Sequence, residues 1–255
     1  MRSRAALLIG AALLAAGLGA LPAPALAGTT TASATPSRPA VVEMKVIGHS
    51  VAGRPIYAWR IGDPNAKVKA VAMAVMHGNE TAPRQILWAL RDGRPVTGID
   101  LWLLPMVNPD GVVRGTRQNA HGVDLNRNFP YHWARLSGGY YSGPSAGSEP
   151  ETQALMRFLA AVRPRYVVSF HQPFHGVDVS AVKSRTFARH LADVLDLPRK
   201  SFTCGGVCHG TLTEWFNHTF AGVAVTVEYG ADPTAQRMRV TAPRQLLAAL
   251  GGHYR

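Results

Sequence analysis

The sequence predicts an α/β fold: a three-layer α/β/α sandwich around a mixed, largely parallel sheet. Two observations carry this. Val68–Met76 (VKAVAMAVM), Ile99–Pro105 (IDLWLLP), Tyr166–Phe170 and Val223–Val227 are almost wholly apolar and of strand length. Such runs lack the alternation of half-exposed strands and read as strands covered on both faces. Segments with helical spacing lie between them, and that order implies a sheet sandwiched by helices. The composition agrees, at 255 residues with 47% hydrophobic and 16% charged. It is globular, and neither a disordered polyampholyte nor a coiled coil.

The elements follow in order. Met1 to Ala27 reads as a signal peptide: Arg2 and Arg4 precede an apolar run of about 17 residues, and Ala25-x-Ala27 is a small-residue cleavage site. Cleavage there leaves 228 residues at net +10. Residues 28–40 (GTTTASATPSRPA) are low in complexity and read as a flexible linker, so the domain is expected over 41–255. Met44–His49 and Pro55–Ile61 flank VAGR as a hairpin. Helices are expected over Ala82–Arg91, from an opening at Ser148-Glu149-Pro150-Glu151 to about Val162, over Ala181–Leu195, Leu212–His218 and Pro243–Leu250. Ser148 and Glu151 have the spacing of a capping box at the start of the second of these. Gly138–Gly147 reads as a long loop. TAPRQILWAL (Thr81–Leu90) and TAPRQLLAAL (Thr241–Leu250) look like a repeat, but their flanks do not match. Two helices that share Thr near the N-cap and Pro in the first turn explain them.

The formal charge of +12 raises nucleic acid, a membrane surface or an anionic matrix as partners. The signal peptide, and the lack of a basic stretch interleaved with aromatics, argue against nucleic acid. No later segment is apolar enough for stable membrane insertion once the signal is removed, so a secreted or cell-envelope location is expected, as a monomer. The only cysteines, Cys204 and Cys208 in CGGVC, are a disulfide candidate in a secreted chain. A metal pair would need more ligands, and beyond His209 none is evident.

Chemistry gathers at strand ends. His77-Gly-Asn-Glu80 follows the first buried strand, and a His and a Glu three apart can converge on one ion across a turn. His171 ends YVVSF. Glu228 follows GVAVTV, where an acid must be paired, metal-bound or protonated. The C-terminal edge of such a sheet is where ligands bind. Two histidines, a carboxylate and a spare glutamate are the parts of a catalytic zinc site with one open position.

The ordered set HGNE, NPDG, Arg117, GVDLNRNFP, YYSGPSAGSEPET, SFH and VEYG resembles the zinc metallocarboxypeptidases of the carboxypeptidase A type. More narrowly, it resembles the short bacterial branch that includes murein peptide amidases. The resemblance spans Val68 to Gly230 and implies a metallocarboxypeptidase-like fold. It implies one Zn2+ held by His77, Glu80 and His171, with Glu228 as general base and Arg117 polarising the scissile carbonyl. Asn126 and Arg127 would bind the substrate's terminal carboxylate, and Asp124 would hold the His77 ring. An Arg fork suits a carboxylate, and ligating histidines commonly donate their second N–H to a carboxylate.

The pattern is incomplete in places. No Tyr lies between Pro198 and Gly210, where the family places a mobile one, and Tyr140 and Tyr141 do not match that role. His175 has no assigned part. Thr213 falls near the family's specificity position and disfavours a large apolar side chain. The expected function is a secreted zinc peptidase or amidase acting beside a free carboxylate on a peptide or murein peptide. An N-acyl amino acid deacylase of the aspartoacylase type and a non-catalytic wall-peptide-binding module are the alternatives.

Overall fold

The computed structural model describes residues 38–180 and 182–255. The expected signal peptide and most of the expected linker lie outside the described residues. Of the last three linker residues, Ala40 is buried and Arg38 pairs with Asp92 at 2.9 Å, while Pro39 is exposed. No helix among the described residues is long and apolar enough to cross a membrane.

The elements in chain order are β1 (Val41–His49), β2 (Pro55–Gly62), β3 (Lys69–Ala74), α1 (Arg84–Arg91), β4 (Val96–Thr97), β5 (Asp100–Leu104), α2 (Pro109–Arg114) and α3 (Pro150–Val162). They continue with β6 (Tyr166–His171), β7 (Phe174–Asp178), α4 (Arg185–Leu195), β8 (Arg199–Lys200), α5 (Leu212–Thr219), β9 (Val223–Gly230), α6 (Ala242–Leu250) and β10 (His253–Tyr254). The main sheet runs β1-β2-β5-β3-β6-β9-β7-β8, and β4 and β10 pair separately. Strands β5, β3, β6 and β9 are mutually parallel, while β1, β2 and β7 add antiparallel pairings.

The pleat sends alternate residues to two cores. Ala70, Ala72, Val168, Phe170, Val225 and Val227 face the side covered by α1, α4 and α6. Val71, Met73, Val167 and Ala224 face α3 and α5. Full burial on both faces accounts for the unbroken apolar runs.

Three local expectations are corrected. Ser148 and Glu151 form no capping box. Glu149 is the N-cap residue of α3 and makes no side-chain cap bond, and the Ser148 hydroxyl donates to the Glu149 carboxylate at 2.7 Å. Glu151 instead accepts from the Val51 amide at 3.0 Å and the Asn119 amide at 3.1 Å. The TAPRQ helices both have Thr near the N-cap but place Pro differently: Pro83 is itself the residue before α1, whereas Thr241 directly precedes α6 and Pro243 lies in its first turn, and neither start has a side-chain cap bond. The helix expected from Ala181 begins at Arg185, where the Ser184 hydroxyl accepts from the Phe187 amide.

Candidate active site

The parallel strands deliver their C-terminal ends to one edge. His77 and Glu80 lie in the turn after β3, His171 ends β6, and Glu228 lies beside it on β9, paired in register. Ser169, His171, Thr226 and Glu228 alternate with core residues and so share the face that bears α3 and α5. The His77 turn packs on the NPDG turn: a Cβ on Gly78 would lie 2.0 Å from the carbonyl carbon of Gly111. Asn108 accepts from the Gly111 amide at 2.8 Å, and its amide group donates to the carbonyls of Met76 and Arg117. One side chain thus joins the end of β3 to the backbone of the guanidinium-bearing residue.

His77 Nδ1 lies 2.6 Å from one Glu80 oxygen, and His171 Nδ1 lies 2.9 Å from the other. The two Nδ1 atoms are 3.3 Å apart. Both rings are held from behind, His77 Nε2 by Asp124 at 3.1 Å and His171 Nε2 by the Ser169 hydroxyl at 3.0 Å. The ligand atoms of His77, Glu80 and His171 lie within 4.8 Å of one another, and all three residues are buried. Two facing ring nitrogens and a carboxylate, with the second ring nitrogens already bonded, form a donor set that fits a zinc ion.

The charges are strongly coupled. Burial alone would lower the His77 pKa, but the Asp124 and Glu80 carboxylates outweigh it and raise it. Burial alone would raise Glu80 and Asp124. The histidines hold Glu80 well below the carboxylate range, and His77 with Arg117 does the same for Asp124. Burial pushes the Glu228 carboxyl up; His171 opposes this and Glu80 adds to it. One Glu228 oxygen accepts from the Phe174 amide at 3.3 Å.

The remaining candidates line the same cleft, of about 820 Å³. The Arg117 fork binds Asp124 at 2.8 Å through Nε and Nη2, and Nη1 stands 3.5 Å from Glu80. Asn126 accepts from the Leu212 amide at 2.9 Å, which ties it to the start of α5. Arg127 is only 4% exposed, and among the described residues its Nε has no partner. Burial lowers its pKa although Asp124 opposes this. Thr213 is on the wall. His175 is exposed and lies outside the cleft lining.

Four contributions were missed from the sequence: Ser169 behind His171, Tyr140, Asp178 and Glu214. Tyr140 lines the cleft, with the guanidinium carbons of Arg117 and Arg127 at 5.3 and 5.5 Å from its ring centroid. Cys204 and Cys208 are disulfide-bonded, and their loop forms another wall. Gly205 and Gly206 take left-handed backbone conformations in this tight loop. Phe202 and Val207 occupy the region that lacks a Tyr.

A family model described as zinc carboxypeptidase matches residues 31–176, more than half of the chain. The chain belongs to the zinc carboxypeptidase family. It is accordingly a hydrolase of the metallopeptidase kind. Murein peptide amidase A of Escherichia coli K12 is 34% identical over 166 residues, covering 59% of this chain and 67% of the relative. Carboxypeptidase D of Rattus norvegicus is 31% identical over 207 residues, covering 62% of this chain and 14% of the relative. The solved murein-tripeptide amidase of E. coli O157 superposes with a TM-score of 0.68 at 27% identity, covering 83% of this chain and 93% of that one. Carboxypeptidase A of Helicoverpa armigera matches in fold with a TM-score of 0.66 at 20% identity, over 84% of this chain and 69% of that one. The metallocarboxypeptidase-like α/β fold expected from the sequence is therefore the fold observed.

Proposed function

We propose that the cleft hydrolyses an amide bond close to a free carboxylate, and that its substrate is a murein peptide. The observation that carries this reading is the convergence of His77, Glu80 and His171 with Glu228 beside them. Zinc bound by the three supplies a Lewis acid and brings the pKa of a water to about 7. Glu228 takes the proton of the attacking water and returns it to the leaving amine as the C–N bond breaks. Arg117, braced on Asp124, meets the negative charge that develops on the carbonyl oxygen. Arg127 binds the terminal carboxylate, with Asn126 beside it. The murein assignment draws support from the amidase relatives.

The test is a set of murein peptides beside plain peptides, given to zinc-loaded protein with and without chelator. The C-terminal residue should be released only with metal present. Glu228→Gln should lower turnover by about 10²–10⁴-fold with the zinc content unchanged. Equal activity of variant and wild type would overturn the assignment of the base. Release of an acyl group instead would favour a deacylase.

A further inference from the structure

We infer that Tyr140 is a positioning residue of the reaction: the face of its ring holds the guanidiniums of Arg117 and Arg127 while leaving their N–H edges to the substrate. The inference rests on the reading above, which gives those two arginines the scissile carbonyl and the terminal carboxylate.

Tyr140 ends a single helical turn, Gly138–Tyr140, in which no residue is buried. Packing on the core therefore does not account for its place. The turn is tied instead to the segment that carries Arg117 and Asp124. The Gln118 side-chain amide donates to the Gly138 carbonyl at 3.2 Å, and the Asp124 amide donates to the Tyr141 carbonyl at 2.8 Å. Gly138 opens the turn in a left-handed conformation, at φ 61°, which glycine takes without strain. These ties bring the ring to the cleft wall, where the Arg117 and Arg127 guanidinium carbons stand 5.3 and 5.5 Å from its centroid.

Two cations on one wall repel each other. Burial lowers the Arg127 pKa, and the Arg117 charge adds to this. A carboxylate beside them would offset the repulsion but would also occupy the donors that a substrate needs. Asp124 already takes Nε and Nη2 of Arg117. Glu214, on the same cleft wall, is engaged by the Thr211 hydroxyl at 2.9 Å. Among the described residues Arg127 donates only through Nη1, to the Asn126 carbonyl at 2.7 Å, and its buried Nε has no partner. An aromatic face attracts a guanidinium through its quadrupole and takes no N–H. The ring thus offsets the repulsion and orients both forks with their remaining donors open to the cleft. This is a property of the ring and not of the hydroxyl, so phenylalanine should serve and leucine should not.

The test compares zinc-loaded wild type, Tyr140→Phe and Tyr140→Leu on a murein peptide that the wild type cleaves. For Tyr140→Leu, kcat/KM should fall about 10-fold, with KM raised through Arg127 and kcat lowered through Arg117. Tyr140→Phe should stay within about threefold of wild type. The Tm and the zinc content should hold in both, because nothing buried is removed. An equal loss in both variants would assign the effect to the hydroxyl and overturn the inference. A loss in Tyr140→Leu that comes with a lowered Tm would overturn it too, by making the residue a structural one. Full activity of Tyr140→Leu would overturn the inference and leave the catalytic reading intact. Calorimetric Kd values for N-acetylalanine supply a readout without turnover: Tyr140→Leu should bind it about 5-fold more weakly than wild type or Tyr140→Phe. That order of binding in a protein that cleaves nothing would uphold the role of the ring and overturn the catalytic reading.

Discussion

Gly78 stands where a Cβ would run into the Gly111 backbone, so the glycines of HGNE and NPDG are two halves of one contact. Gly78→Ala should force the turn that bears His77 and Glu80 away from α2. Overpacking of this kind costs about 1–3 kcal/mol. Urea unfolding should register that loss, and the zinc content of the purified variant should fall with it. A variant of wild-type stability and metal content would show that the turn gives way freely. Single residues differ in how far the sequence discloses them. Glu228 is legible because an acid after GVAVTV has no innocent place in a buried strand. His171 is legible for its position at a strand end. Ser169, Tyr140 and Asp178 are not. Ser169 acts by the pleat, which sets it behind the His171 ring. Tyr140 acts by a loop that closes on two arginines. Asp178 follows a Phe-His pair in a segment without strand patterning.

The β1–β2 hairpin is fastened at its turn. Asp110 of α2 accepts from the Ser50 hydroxyl, the Ala52 amide and Arg54, at 2.9, 2.9 and 2.7 Å. Burial alone would raise the Asp110 pKa, but these donors lower it overall. A lowered folded-state pKa stabilises the fold fully above the ordinary aspartate value of about 3.9. That stabilisation is lost as pH falls through the lower folded-state value. Acid unfolding of wild type and Asp110→Asn should therefore converge as pH drops below about 4, with wild type the more stable at neutral pH. A constant gap between the two curves would refute the linkage. The strands of the sheet centre and most of the helices are legible because each buries an apolar stripe or run. Strand β7 escapes because Phe174 and His175 are exposed, and β8, β4 and β10 are too short to carry a pattern. The SEPE segment misleads for a physical reason. Its glutamates turn away from their own helix to bind Asn119, His121 and the Val51 amide.

At the scale of the whole molecule, the candidate zinc ligands are drawn from the turn after β3 and from the end of β6, and the candidate base comes from β9. Metal binding to this preformed set should stabilise the native state alone. At about 100 times its Kd, zinc would add about 2.7 kcal/mol. For a domain of this size that is a rise in Tm of roughly 5–10 °C over protein held in chelator. Scanning calorimetry with and without zinc measures it, and identical transitions would exclude a metal at His77, Glu80 and His171. The alternation along β6 and β9 has a further consequence. Val168, Phe170, Val225 and Val227 belong to the larger core, while their neighbours His171, Thr226 and Glu228 line the cleft and Ser169 backs the His171 ring. The strands thereby separate two kinds of selection, residue by residue. Cleft-facing positions such as Thr226 can drift toward new substrates while the core-facing set holds the sheet together, which gives the fold room to evolve.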